Sequence, residues 1–192
     1  VSFTEPYLFD TRNALSVEAY YRDTNYTNND FNQRNFGGAV GLRRPIWRAL
    51  SARAEYRFED IRISGVDPGN AVLLGEEGSR TRSALTFGLN WDTRYSLFLT
   101  RRGTRVDLTG FIAGGPFLGG NTKTYGFNFE FGHWYTFPYD IILTVQGQIQ
   151  GVAPLAGGEF TSVVYPNTTR RVPIYDRLFL GGATSLRGFD YR

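Results

Sequence analysis

Apolar and polar residues alternate one for one along most of this chain. Leu15, Val17, Ala19 and Tyr21 interleave with Ser16, Glu18, Tyr20 and Arg22. Phe36, Gly38, Val40 and Leu42 interleave with Gly37, Ala39, Gly41 and Arg43. Leu50, Ala52, Ala54, Tyr56 and Phe58 interleave with Ser51, Arg53, Glu55, Arg57 and Glu59. The same rhythm sets Leu85, Phe87, Leu89 and Trp91 against Thr86, Gly88, Asn90 and Asp92, and Val106, Leu108, Gly110 and Ile112 against Arg105, Asp107 and Thr109. It continues with Tyr125, Phe127, Phe129 and Phe131 against Thr124, Asn128 and Glu130. It ends with Ile141, Leu143, Val145 and Ile149 against Thr144, Gln146, Gln148 and Gln150. A period of two puts successive side chains on opposite faces of a strand. With a partial strand at residues 1–5 the pattern predicts eight strands over residues 1–152 and a long loop over 153–192.

No segment reads as a spanning helix. The nearest candidate, Ile141 to Gly158, is uncharged over 18 residues, but its glutamines stand two apart and it ends in Pro154 and glycines. A spanning helix needs about 20 apolar residues.

A soluble sandwich also alternates, and sequence alone does not tell a polar outside from a polar lumen. Two features favour a membrane barrel. One face is almost purely apolar and aromatic while the other carries Glu18, Arg53, Glu55, Arg57 and Glu130. The connections also differ in length: 44–49 and 138–140 read as short, 6–13 as moderate, and 25–34, 65–80 and 153 onward as long. Short turns on one side and long loops on the other are the outer-membrane arrangement; segments 93–103 and 115–122 blur it. Pro45 is expected to end a strand at its rim, Pro138-Tyr-Asp140 to close a tight turn, and Asp67-Pro-Gly-Asn70 to form a reverse turn. Trp47, Tyr95 and Tyr135 fall near strand ends on the short-turn side, as in an interfacial aromatic belt.

Composition narrows the chemistry. Aromatics make up 16% of the 192 residues and Gly 23 of them, a mix that suits strands between lipid and a wet interior. There is no Cys, so no disulfide, zinc–thiolate cluster or thiol nucleophile. A net charge of +3 is too slight to argue for nucleic acid. The acidic residues follow strand period rather than loop ligand spacing, so no metal site is expected. Gly114-Gly-Pro-Phe-Leu-Gly-Gly120 lacks the lysine and helix of a phosphate loop. His133, the single histidine, shares the outward face with Phe129 and Phe131 near the rim, a poor place for a catalytic base. An enzyme and a cofactor are therefore not expected. The start, Val1-Ser-Phe-Thr-Glu5, has no signal-peptide character. The lack of Met, and the end five residues after an arginine motif, read as a piece of a longer protein.

Four stretches carry a resemblance. The first is Val1-Ser-Phe-Thr-Glu-Pro-Tyr-Leu-Phe9. The second and third are Asp92-Thr-Arg94 and Thr100-Arg-Arg-Gly103, the latter leading into Thr104-Arg-Val-Asp-Leu-Thr-Gly110. The fourth is Pro173-Ile-Tyr-Asp-Arg-Leu-Phe-Leu-Gly-Gly-Ala-Thr-Ser-Leu-Arg-Gly-Phe189. In this order they resemble the BamA-type family of outer-membrane assembly and translocation barrels. The proline that the family usually carries before the glycine of the second turn is absent here.

The resemblance implies an all-β, antiparallel transmembrane barrel of about 16 strands. This chain would cover roughly its fourth to eleventh strands and most of its sixth extracellular loop. It implies a loop motif of Gly181, Gly182, Ser185, Leu186, Arg187, Gly188 and Phe189, and a turn motif of Asp92, Arg94 and Gly103. In the family the loop folds back into the barrel and its arginine meets acidic residues on the inner wall. The usual partners would lie beyond residue 192, so Glu18, Glu55, Glu59, Asp107 and Glu130 are the candidates within this chain. A guanidinium suits that task as a permanent charge with a planar fork of donors.

The function implied is insertion of other β-barrels into the bacterial outer membrane. The implied partners are membrane lipid and lipopolysaccharide, unfolded barrel substrates, periplasmic POTRA domains, chaperones and accessory lipoproteins. A two-partner-type secretion pore of the same family is the alternative, less favoured because of the turn at 92–103. A passive porin-like barrel is another.

Overall fold

The computed structural model describes residues 1–26, 31–66, 68, 71–96, 98–155 and 172–178. They form one eight-stranded antiparallel sheet in chain order. The strands are β1 (Ser2–Glu5), β2 (Ala14–Tyr26), β3 (Phe31–Trp47), β4 (Leu50–Ser64), β5 (Gly78–Asp92), β6 (Gly103–Ala113), β7 (Thr124–Thr136) and β8 (Ile142–Pro154). Two one-turn helices, α1 (Ala71–Leu74) and α2 (Gly115–Leu118), sit in connections. No described helix is long and apolar enough to cross a membrane, which leaves crossing by strands open.

Every hairpin keeps the parity read from the sequence. Val17 stands opposite Val40, Leu89 opposite Leu108 and Phe129 opposite Ile149, all on one face. That apolar face has no second layer over it: Phe36 is 67% exposed and Ile149 62%. A soluble sandwich would bury this face, whereas a membrane barrel turns it to lipid. The buried apolar residues gather elsewhere, on the opposite face near the loop end. Phe31, Ile63, Val66, Leu73 and Ile174 pack there as one cluster.

Several connections differ from the sequence reading. Residues 25–34 are largely strand, because β2 runs to Tyr26 and β3 begins at Phe31. The outer face turns polar there, with Asp23 and Arg34 paired at 2.9 Å, so alternation fades although the backbone pairing continues. Pro45 lies inside β3; the strand continues to Trp47 with a register shift between them, as a residue lacking an N–H demands. β8 extends two residues past the expected 152. Tyr139 and Asp140 close the last turn at φ 67 and 57. Of the reverse turn expected at Asp67–Asn70, only Pro68 is among the described residues. Trp47, Tyr95 and Tyr135 all fall at the end where β3 meets β4 and β5 meets β6.

Two glycines on the polar face test how tightly this sheet is built. A Cβ at Gly37 would come 2.5 Å from the Phe58 carbonyl oxygen and 2.8 Å from Glu59 Cα, both backbone atoms. A Cβ at Gly88 would meet only the side chain of Arg53, which can move. Gly37→Ala should therefore destabilise the barrel by about 1–3 kcal/mol, and Gly88→Ala by less. Urea unfolding of the full-length protein in detergent, followed by heat-modifiable gel mobility, measures both; equal losses would contradict this packing.

Candidate functional site

The polar face is a wall of paired charges built by register. Tyr20, Gly37, Glu59 and Arg82 form one row across four strands. The Tyr20 hydroxyl passes over Gly37 and donates to Glu59 Oε2 at 2.6 Å, and Arg82 donates to Glu59 Oε1 at 3.1 Å. One row away, Arg57 reaches across Ala39 to Glu18 at 3.6 Å and back to Glu55 at 2.9 Å. Arg53 lies over Gly88 to meet Thr109 at 2.6 Å and Asp107 at 3.4 Å. Asp107 also accepts from Asn90 and Thr109. It stands directly opposite Glu130, a like-charge pair that would repel if bare. Glu130 is balanced by Asn128 at 2.9 Å and Arg105 at 3.9 Å.

All five expected carboxylates thus lie on the inner wall, and each already has a partner. They are not equivalent. The side chains of Glu59 and Asp107 are 9% and 10% exposed and fully engaged, while those of Glu18 and Glu130 are 45% and 42% exposed. Of the arginines that hold them, Arg53, Arg57 and Arg105 are placed on this face by the sequence pattern but not as partners of these acids, and Arg82 is not named there at all. Their parity on the same face as the acids was the available signal.

The turn residues Asp92, Arg94 and Gly103 converge. Arg94 Nε donates to Asp92 Oδ1 at 2.9 Å and its Nη2 to Oδ2 at 2.6 Å, a forked pair, while the Arg94 backbone N–H also donates to Oδ1 at 3.0 Å. The carboxylate holds the Arg94 guanidinium above its ordinary pKa. That guanidinium lies 5.4 Å from the centre of the Trp134 ring. Gly103 adopts φ +125, and a Cβ there would stand 2.7 Å from Arg94 Cα. Only glycine suits that backbone and that approach.

The long loop contributes a short docked segment. Residues 172–178 lie against the inner wall at the loop end. Ile174 enters the apolar cluster with Phe31, Ile63, Val66 and Leu73. Asp176 receives a hydrogen bond from Thr124 at 2.6 Å and pairs with Arg82 at 3.0 Å. Tyr175 and Thr122 share a hydroxyl hydrogen bond at 2.6 Å. Glu76, in the β4–β5 connection, pairs with Arg80 at 3.0 Å and Arg177 at 2.6 Å. Sequence reasoning missed Glu76, since a loop has no periodicity and Arg177 stands 101 positions away. Gly181, Gly182, Ser185, Leu186, Arg187, Gly188 and Phe189 lie outside the described residues. On the opposite face, His133 Nδ1 and the Thr104 hydroxyl share a hydrogen bond at 2.9 Å. Among the described residues no His, Asp or Glu group is arranged to hold a metal.

The turn geometry has a direct consequence. Arg94→Lys replaces a fork with a point charge and should cost about 1 kcal/mol of barrel stability. Gly103→Ala adds a left-handed backbone penalty and a clash, and should cost more, about 1–3 kcal/mol. Midpoints of urea unfolding order the two variants; the reverse order would show that the fork, not the glycine, sets the turn.

Comparison with known proteins agrees with this geometry over the whole chain. The Omp85 superfamily domain matches residues 1–192. The outer membrane protein assembly factor BamA of Nitratidesulfovibrio vulgaris strain Hildenborough is 24% identical over all 192 residues, which span 22% of its length. The crystal structure of BamA from Haemophilus ducreyi lacking POTRA domains 1-3 superposes with a TM-score of 0.79 at 17% identity, covering 99% of this chain and 37% of that one. The present sequence therefore spans well under half of either relative. An exposed apolar face, a charged inner face and a family domain matched from end to end lead to one statement: the chain belongs to the Omp85 superfamily and forms part of an outer-membrane β-barrel.

Proposed function

We propose that this chain is an arc of the barrel of an outer-membrane protein assembly machine, inserting other β-barrels. The supporting observation is the docked segment 172–178. It leaves the chain at Leu178, nine residues before Arg187, on the inner side of the wall. Such a start favours delivery of Leu186-Arg187-Gly188-Phe189 to the lumen rather than to open solvent. Within this arc Glu18, Glu55 and Glu130 are the carboxylates open enough to receive the guanidinium, because Glu59 and Asp107 are already filled.

In this reading the lipid-facing belt locally thins the bilayer and the barrel lowers the barrier to strand addition. Unfolded barrel chains are the substrates. POTRA domains, accessory lipoproteins and chaperones serve on the periplasmic side, and lipopolysaccharide meets the outer rim. Among the described residues no strand covers the free sides of β1 and β8, and lipid does not tolerate such edges. In this reading they pair with further strands of the whole barrel.

A secretion pore of the same superfamily would use the same inner wall to pass an unfolded chain. A passive pore is disfavoured by a loop that folds inward over the wall. In the full-length protein, Arg187→Ala should reduce outer-membrane protein assembly about tenfold or more while the barrel itself still inserts, as loss of a charge-assisted fork would. Reconstitution with an unfolded barrel substrate measures it. Unchanged assembly rules out the role given to Arg187, and large steady conductance in planar bilayers would favour the pore.

A further inference from the structure

We propose that Glu76 is a positioning residue for the long loop, fixing the point from which the arginine motif enters the lumen; this rests on the assembly-barrel reading above. Glu76 is the meeting point of two connections distant in sequence. Its side chain is 1% exposed, and both oxygens are used. Oε1 accepts from Arg177 Nη2 at 2.6 Å. Oε2 accepts from Arg80 Nη1 at 3.0 Å and, at 3.5 Å, from the Ile174 backbone N–H. Burial alone pushes the Glu76 carboxyl up, and the two guanidiniums oppose that shift. A buried carboxylate that loses a cation is costly, so the ion pairs hold the segment in place rather than merely decorating it.

The neighbouring contacts share one direction. Arg177 Nε also donates to the Val172 carbonyl at 2.8 Å, closing the segment on itself. Asp176 ties the same turn to β5 and β7, and Tyr175 ties it to the β6–β7 connection. Burial pushes the Tyr175 phenol up to about 12, so it remains a neutral partner for Thr122 at physiological pH. The segment is therefore pinned at four places, the β4–β5 connection, β5, β7 and the β6–β7 connection, and Glu76 at 1% exposure is the more deeply buried of its two carboxylate contacts, Asp176 being 7% exposed.

Pinning changes the length of the tether that carries Arg187. Measured from the end of β8 at Pro154, the tether is 33 residues; measured from Arg177 it is ten. Ten extended residues reach at most about 35 Å, against roughly 110 Å for the longer tether. The anchor thus cuts the greatest distance at which Arg187 can lie from its nearest fixed point to about a third.

The test uses the full-length protein in membranes. This chain has no Cys, so Thr124→Cys with Asp176→Cys gives a disulfide that reports docking of the segment. Glu76→Gln keeps the shape and removes the charge; Arg177→Ala lies beyond the last described strand and leaves the sheet intact. Heat-modifiable mobility verifies folding of each. Both variants should cut the disulfide yield about tenfold, and without the cysteines should slow assembly severalfold, with Arg177→Lys recovering part of both.

Undiminished disulfide formation in both variants overturns the anchor. Lost disulfide with undiminished assembly overturns its positioning role. Arg187→Ala, run alongside, tests the parent reading separately: if it leaves assembly intact while Glu76→Gln abolishes the disulfide, the proposed function fails and the contact stands.

Discussion

The inner wall works only because long charged side chains can lie flat across a neighbouring strand. Three side chains that reach the second strand away cross a position with little or no side chain: Tyr20 over Gly37, Arg57 over Ala39, Arg53 over Gly88. Register sets some charges directly opposite an unlike one, as Glu59 opposite Arg82, but not all of them. Asp107 opposite Glu130 shows the difficulty. Reaching one strand further solves it, at the cost of fixing glycine or alanine in the row between. The small residues on this face are thus part of the electrostatics. They let a wall of carboxylates and guanidiniums neutralise itself while the other face stays apolar across its middle, between the Asp23–Arg34 pair at one end and Thr104–His133 at the other.

That arrangement explains which parts of the fold were legible in the sequence. Strand parity was readable wherever one face meets lipid and the other water, as in Leu85 to Asp92, because the two solvents impose opposite residue types. It faded at 22–26 and 31–34, where the outer face turns polar with Asp23 and Arg34 while Phe31 is buried on the other face, so the backbone pairs without the usual signature. Pro45 misled for a related reason: it marks a missing donor, and the strand absorbs that as a bulge instead of stopping. The turn motif was visible as Asp92, Arg94 and Gly103. Its physical content, a fork closed beneath a glycine at φ +125, was not.

The partners of the inner carboxylates were hidden by distance along the chain. Arg53 and Asp107 are 54 positions apart, and Tyr20 and Glu59 are 39. Parity places such residues on one face but does not say which rows coincide; the register of each hairpin decides that. Glu76 was hidden more thoroughly, since a loop residue has neither parity nor register. It becomes conspicuous only when a carboxylate with 1% exposure is found between two guanidiniums.

Several strands are longer than a bilayer requires. About 9–11 residues cross the hydrocarbon, and β3 and β4 have 17 and 15. On β4 the apolar outer face ends at Phe58 and pairing continues to Ser64, roughly 20 Å more of hydrogen-bonded ribbon. The docked loop segment rests on this overhang, with Ile174 against Phe31 and Ile63, beyond the part of the wall backed by the apolar outer band. Membranes of different thickness would shift the barrel's tilt and the lipid around the lower strands. The geometry of the loop against the inner wall would not change with them. The overhang thus insulates the loop's seat from hydrophobic mismatch, so a single sequence can keep it in bilayers of unlike composition.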